Sequence, residues 1–100
     1  MELEQLRIFT AVAQSGSFSL GARKLYISHS TTSRAVAALE EELGVRLLER
    51  DNHVLGLTKA GEALLEEARR IEDVVRTAVE RVRAASEKER ESESCENTQI

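Results

Sequence analysis

The chain contains no proline and no tryptophan, a single cysteine (Cys95) and only three aromatic residues, Phe9, Phe18 and Tyr26. A lone cysteine forms no internal disulfide, so nothing indicates an oxidising compartment. No apolar run exceeds a few residues, whereas a membrane-spanning helix needs about 20. The opening MELEQLRIFTAV places acids where a secretion signal carries basic residues and then an apolar run. A cytoplasmic location without membrane association is expected. Catalytic patterns are missing too. His29 and His53 lie far apart and Cys95 sits in a polar tail, whereas a zinc site needs about four ligands in close-spaced pairs. There is no glycine-rich phosphate loop and no Gly-x-Ser-x-Gly elbow. No enzyme, metal site or cofactor is expected.

The most informative absence is one of negative charge. The net charge is −4, yet residues 5–39 contain no Asp or Glu while including Arg7, Arg23, Lys24 and Arg34. Residues 1–60 are balanced, and residues 61–100 carry the whole excess of acid. An acid-free window of this length creates a locally positive face on a chain of negative overall sign. Such a face suits a nucleic-acid partner despite the overall sign.

One hundred residues, 41% hydrophobic, suffice for one modest domain. Leu3, Leu6, Phe9 and Val12/Ala13 recur at helical spacing, and the SGS at 15–17 ends that run. Ser17 or Ser19 is placed to cap a short second helix, LGARKLY, with Leu20, Ala22 and Leu25 as its apolar contacts. Ser28 or Ser30 caps a third helix reaching Leu43, whose inner stripe is Ala35, Val36, Leu39 and Leu43, and Gly44 supplies the left-handed stop. Val45, Leu47 and Leu48, then Asp51 and Asn52, then Leu55 and Leu57 read as two short strands around a polar turn. Thr58 caps a long fourth helix. The expected fold is mainly α: a three-helix core with a short two-stranded wing, followed by a long helix.

That last helix carries a second pattern. Leu64, Ala68, Ile71, Val75, Ala78, Val82 and Ala85 are spaced alternately by four and three residues, the seam of a helix that pairs with another helix. The seam is about 30 Å long at about 1.5 Å per residue, more than a small globule covers along one side. A second copy of the chain is the simplest partner. Residues 87–100 have no apolar stripe and are expected to fray or to be disordered.

The third helix opens with SHSTTSR, residues 28–34. A short helix, a tight turn and a second helix with a polar leading edge form the arrangement in which the second helix enters the DNA major groove. A helix N-terminus offers free N–H groups and partial positive charge to phosphates. Hydroxyls bond phosphates and base edges, threonine methyls meet thymine methyls, and Arg34 can grip guanine in bidentate fashion or clamp a phosphate.

From Met1 to about Ser86 the sequence resembles the N-terminal winged helix–turn–helix and linker helix of LysR-type transcriptional regulators. The patches LEQLRIFTAVAQSGSFSLGARKL, ISHSTTSRAVAALEEELGVRLLERD and LTKAGEALLEEARRI carry the resemblance, in order and at the right spacing. It implies a bacterial-type transcription factor that binds DNA as a homodimer through paired linker helices. The implied domain spans residues 1–58, with the helix–turn–helix at about 18–37 and the wing at about 47–58, and the linker helix spans 59–86. His29, Ser30, Ser33 and Arg34 stand where the family faces the major groove, with Thr31 among them. His53 stands in the wing where an arginine often points to the minor groove. Arg50 matches an arginine with either a structural or a phosphate-facing role.

The departures are informative. His29-Ser30-Thr31-Thr32 stand where the family usually has Gln-Pro-Ala-Leu, so operator preference does not transfer. Thr32 in place of leucine removes interior volume, about 1–2 kcal/mol on large-to-small precedent. Gly21 in place of alanine costs up to ~1 kcal/mol in a helix, and Leu48 replaces a common phenylalanine. A somewhat less stable version of the domain is expected. The family normally continues into a two-lobed effector-binding domain, and no small-molecule effector domain is expected within these residues. Two further readings stay open: a dimerisation module that modulates full-length relatives, and a truncated remnant.

Overall fold

The computed structural model describes residues 1–51 and 54–99, with side chains described as far as Arg90 except that of Leu55. Helices α1 (Leu3–Ser15), α2 (Phe18–Leu25) and α3 (His29–Leu43) precede strands β1 (Leu48–Arg50) and β2 (Val54–Leu57), and α4 (Lys59–Gln99) follows. The fold is the winged helix–turn–helix anticipated from the residue pattern.

Each boundary has a local cause. Gly16, at φ 71°, ends α1 and donates its N–H to the Val12 carbonyl at 2.9 Å. Of the two candidate caps of α2, Ser17 is the one used, its Oγ accepting from the Leu20 N–H at 3.3 Å. Tyr26 closes α2 in the left-handed region, at φ 58°, and the Ile27 N–H reaches back to the Ala22 carbonyl at 3.0 Å. Ser28 caps α3, accepting from the Thr31 N–H at 3.1 Å. Gly44, at φ 70°, ends α3 as its position required. In the wing β1 and β2 pair antiparallel, Leu48 opposite Leu57, with an irregularity between Glu49 and Arg50.

The core of the first compact unit, Met1–Ala68, joins Ile8, Phe9 and Val12 of α1 to Val36 and Leu39 of α3 and to Leu47 and Leu48 at the root of the wing. Three apolar residues expected in the helix stripes lie outside it: Leu3 is 61% exposed, Leu20 49% and Leu43 42%. Leu3 and Leu43 fall at helix ends, beyond the reach of the core. In α2 the inward face is Phe18, Ala22 and Leu25, set by Phe18 being the first residue after the cap. That phase turns Leu20 outward. The unit also takes in the first turns of α4, past the boundary at 58 read from sequence, because Ala60, Leu64 and Leu65 pack on the core.

Two departures from the family pattern acquire a physical meaning. Thr32 is fully buried, and its hydroxyl donates to the Ser28 carbonyl at 2.9 Å. The site loses leucine volume but leaves no hydroxyl unsatisfied. Gly21 is buried where α2 crosses α1. A Cβ there would stand 2.9 Å from Val12 Cγ2 and 3.0 Å from the Val12 Cα and N. The glycine is therefore a close-approach residue, and its helix-propensity penalty is the wrong basis for predicting a substitution. Gly21→Ala should destabilise the domain by about 1–2 kcal/mol through overpacking rather than stabilise it by the ~1 kcal/mol that propensity alone favours. Urea unfolding followed by circular dichroism reads the sign directly.

The second unit begins at Arg69. Its helix runs on to Gln99, beyond Ser86, where fraying or disorder was expected. Residues 87–99 contain no proline or glycine and are rich in Glu, Lys, Arg and Gln, good helix formers even without an apolar stripe. Ile100 lies outside the described residues. Among the described residues, no helix is long and apolar enough to cross a membrane.

Candidate nucleic-acid interface

Thr32, Val36 and Leu39 are buried, which turns Ser30 and Arg34 to the opposite side of α3. His29, two turns before Val36, is exposed at the helix end, and Ser33 lies between the two faces. His29, Ser30, Thr31 and Arg34 are exposed and Ser33 is half-buried. Pairs spaced by four residues touch along this side: Ser33 Oγ lies 3.5 Å from His29 Nδ1, and Arg34 Nε donates to the Ser30 carbonyl at 3.3 Å. The rest of the Arg34 guanidinium has no partner among the described residues.

Thr31 has a second duty. Ser28 Oγ accepts from its N–H at 3.1 Å and donates to its hydroxyl at 2.8 Å, so Thr31 belongs to the cap as well as to the surface. The Ser28 carbonyl takes the Thr32 N–H at 3.1 Å. In the first turn the N–H groups of His29 and Ser30 have no hydrogen-bond partner among the described residues. Positive helix-end potential, these two N–H groups and an arginine thus converge on one short surface.

Arg50 sits differently. Its Nη2 donates to Glu40 Oε1 at 2.8 Å, with the arginine side chain 25% exposed and the glutamate 11%. Glu40 Oε2 accepts the Leu47 N–H at 2.8 Å and lies 3.5 Å from the Leu48 N–H. The guanidinium carbon stands 5.4 Å from the centroid of the Phe18 ring, a cation–π distance. Of the two roles open to Arg50, this geometry serves the structural one, and its charge is already matched by Glu40. Arg50 Nη1 is buried with no hydrogen-bond partner among the described residues. His53 lies outside the described residues.

The wing is tied to α4 by Thr58. Its N–H donates to the Leu47 carbonyl at 3.1 Å, its hydroxyl donates to the Arg46 carbonyl at 2.6 Å, and the same oxygen accepts the Gly61 N–H at 3.0 Å. The expected cap of α4 is in place. Along the seam, Leu64 packs on its own core and Ala68 is only 1% exposed, so these two positions are filled from within the chain. Ile71 is half-buried, while Val75, Ala78, Val82 and Ala85 are exposed. Val74 and Val79, absent from the strict seam, are exposed beside them and widen the apolar stripe.

Sequence reasoning missed Glu40, Phe18 and Gly61. Glu40 ends the acid-free window, and an acid in phase with Val36 and Leu39 was the available signal. Gly61 offered a fainter one, a glycine inside the first turn of a long helix.

Three helices, the third laid along the surface, followed by a two-stranded hairpin define a winged helix–turn–helix domain. The profile of the family described as bacterial regulatory helix-turn-helix protein, lysR family, matches residues 3–62, and the chain belongs to that family. It is 49% identical over 86 residues to the HTH-type transcriptional regulator TfdS of Cupriavidus pinatubonensis (strain JMP 134 / LMG 1197), covering 86% of this chain and 29% of that protein. It is 46% identical to the HTH-type transcriptional regulator ClcR of Pseudomonas putida, again covering 86% of this chain and 29% of the relative. The chain thus spans less than a third of the length of these regulators. Among solved structures, a CbnR_DBD–DNA complex superposes with a TM-score of 0.81 at 44% identity, covering 86% of this chain and 99% of that one. A complex of BenM_DBD with catB site 1 DNA gives 0.78 at 38% identity, covering 83% and 92%.

Proposed function

We propose that the chain is a non-catalytic, cytoplasmic transcriptional regulator that binds double-stranded DNA sequence-specifically and acts by operator occupancy. The observation that carries this reading is the leading edge of α3, where His29, Ser30, Ser33 and Arg34 share one surface beside two helix N–H groups that have no partner among the described residues. The acid-free window supports it, and so does the likeness to domains solved on DNA. Arg34 grips a base edge or a phosphate, His29 and Ser30 read base edges, and Thr31 adds a methyl. His53, in the wing segment, completes the minor-groove side, while Arg50 acts through the wing rather than on DNA.

The DNA-bound form is a homodimer. Val75, Ala78, Val82 and Ala85 of α4, with Val74 and Val79, supply the stripe that pairs with a second copy, and Ile71 marks its inner end.

Selection from genomic fragments at moderate salt should enrich one motif, with affinity falling steeply as salt rises. Sedimentation of the protein should give a dimer. Arg34→Ala should weaken binding to the selected site by ~1–3 kcal/mol if it contacts a base, read by fluorescence anisotropy against a scrambled duplex. No enriched motif would sink the proposal, and an unchanged affinity would remove Arg34 from the site. The exposed valines also favour a second reading, in which α4 captures full-length relatives in mixed dimers. Mixing with such a relative and recovering only homodimers would eliminate it.

A further inference from the structure

The interior of the wing and the leading edge of α3 meet at one side chain. Phe18 opens α2, Arg50 ends β1 and His29 opens α3. The Arg50 guanidinium carbon is 5.4 Å from the Phe18 ring centroid. The His29 ring centroid is 6.0 Å from that of Phe18, with the planes inclined at 51°. Glu40 fixes Arg50 from behind at 2.8 Å, and Ser33 Oγ lies 3.5 Å from His29 Nδ1 on the other side. An exposed histidine at a helix terminus would ordinarily sample several rotamers. Here the ring stands beside an aromatic ring and one ring nitrogen lies 3.5 Å from a hydroxyl, so its second nitrogen is the group left for a ligand.

We propose that Phe18 is a positioning residue for base recognition: held by Arg50, it fixes the His29 ring so that Nε2 meets a hydrogen-bond acceptor on one base pair of the site. The inference rests on the reading of α3 as a DNA-recognition helix. Among the described residues the Ser33 hydroxyl has no hydrogen-bond partner other than His29 Nδ1. In the Nε2–H tautomer of the neutral imidazole, the one in which the Ser33 hydroxyl donates to Nδ1, Nε2 is a donor. In the major groove such a donor suits guanine N7 or O6, adenine N7 or thymine O4, and it is repelled by the amino groups of adenine and cytosine. Glu40, Arg50 and Phe18 then set specificity without touching DNA, and an orientation rather than a contact is what they supply.

The test compares binding-site selection and anisotropy for the wild type, His29→Ala, Phe18→Leu, Phe18→Tyr and Ser33→Ala. His29→Ala should lower the preference at one base pair about five- to tenfold, within the range a single mismatched pair produces. Phe18→Leu, which keeps apolar volume but loses the ring, should relax the same base pair and leave the salt dependence unchanged. Phe18→Tyr should restore the preference. Combined with His29→Ala, Phe18→Leu should have no further effect on it. Ser33→Ala should relax that base pair too, and it provides the test should Phe18→Leu fail to fold. Wild-type preference retained in Phe18→Leu, or in Ser33→Ala where that is the variant that folds, would overturn the proposal. So would a loss spread evenly over all positions. If the wild type itself enriches no motif, the DNA-recognition reading fails first.

Discussion

Gly61→Ala should destabilise the domain by about 3 kcal/mol or more, and it should do so from a helical position where alanine is normally the better residue. Helix propensity alone favours the substitution by up to ~1 kcal/mol. The surroundings reverse the sign. A Cβ on Gly61 would fall 2.0 Å from the Leu47 carbonyl oxygen, 3.0 Å from its carbon and 3.1 Å from Leu57 Cδ2. The first of these is backbone, so no rotamer change relieves it. The same carbonyl accepts the Thr58 N–H at 3.1 Å, and Thr58 in turn bonds the Gly61 N–H and the Arg46 carbonyl. Moving α4 away breaks this set of bonds at once and lifts Leu64 and Leu65 from the core. Overpacking typically costs about 1–3 kcal/mol, and the lost hydrogen bonds add about 1 kcal/mol each. Typical domains have only about 5–15 kcal/mol in total. Urea unfolding of Gly61→Ala beside Gly21→Ala makes the comparison internal. Both carry a close contact, but at Gly61 the obstacle is a carbonyl oxygen at 2.0 Å, and Gly61→Ala should have the lower midpoint. A midpoint at or above that of the wild type would refute the account.

Gly61 also illustrates what a single sequence discloses. Caps, stops and helix phases are local, and Ser17, Ser28, Gly44 and Thr58 all do what their chemistry and neighbours suggested. The outward surface of α3 was legible for the same reason: once Val36 and Leu39 face in, Ser30 and Arg34 must face out. Tertiary approach has no such local signature. A glycine inside a helix hints at close approach, but nothing around Gly21 or Gly61 tells that Val12 or the Leu47 carbonyl is what approaches. Helix stripes also run past the core they serve, which is why Leu3 and Leu43 are exposed at helix ends, while Leu20 is turned out by the phase that Phe18 sets. The seam of α4 shows the converse. Its 3.5-residue period is real, but Leu64 and Ala68 are covered from within the first unit, so a period cannot apportion one stripe between a domain and its partner.

Arg50 raises the same difficulty at the candidate site, since it stands between Glu49 and Asp51 and the family resemblance left it either a structural or a phosphate-facing role. Its partner is ten residues earlier, on α3. The pairing changes what the wing is for: Glu40 binds the end of α3 to the root and the end of β1, and ties the wing's position to α3.

Glu40→Ala should accordingly cost about 3 kcal/mol, the low end of the range for breaking a largely buried ion pair by removing one partner. The low end applies because Arg50 remains 25% exposed and water can reach part of its charge. Two losses combine. The Leu47 N–H, in a residue 1% exposed, gives up its 2.8 Å acceptor, and the Arg50 guanidinium, one of whose nitrogens is already buried without a described partner, loses its counter-charge. Glu40→Gln separates the two. A glutamine oxygen can still accept from Leu47, but it carries no charge for Arg50, so about half of the destabilisation should remain. Arg50→Met, which extends apolar volume over Phe18 without a charge to satisfy, should cost less than Glu40→Ala. In the double variant the penalties should fall short of their sum, because the stranded guanidinium is gone. Denaturant unfolding of the four proteins measures the cycle. Strict additivity would mean that Glu40 acts only through the Leu47 N–H, and that its charge contributes nothing to holding the wing on α3.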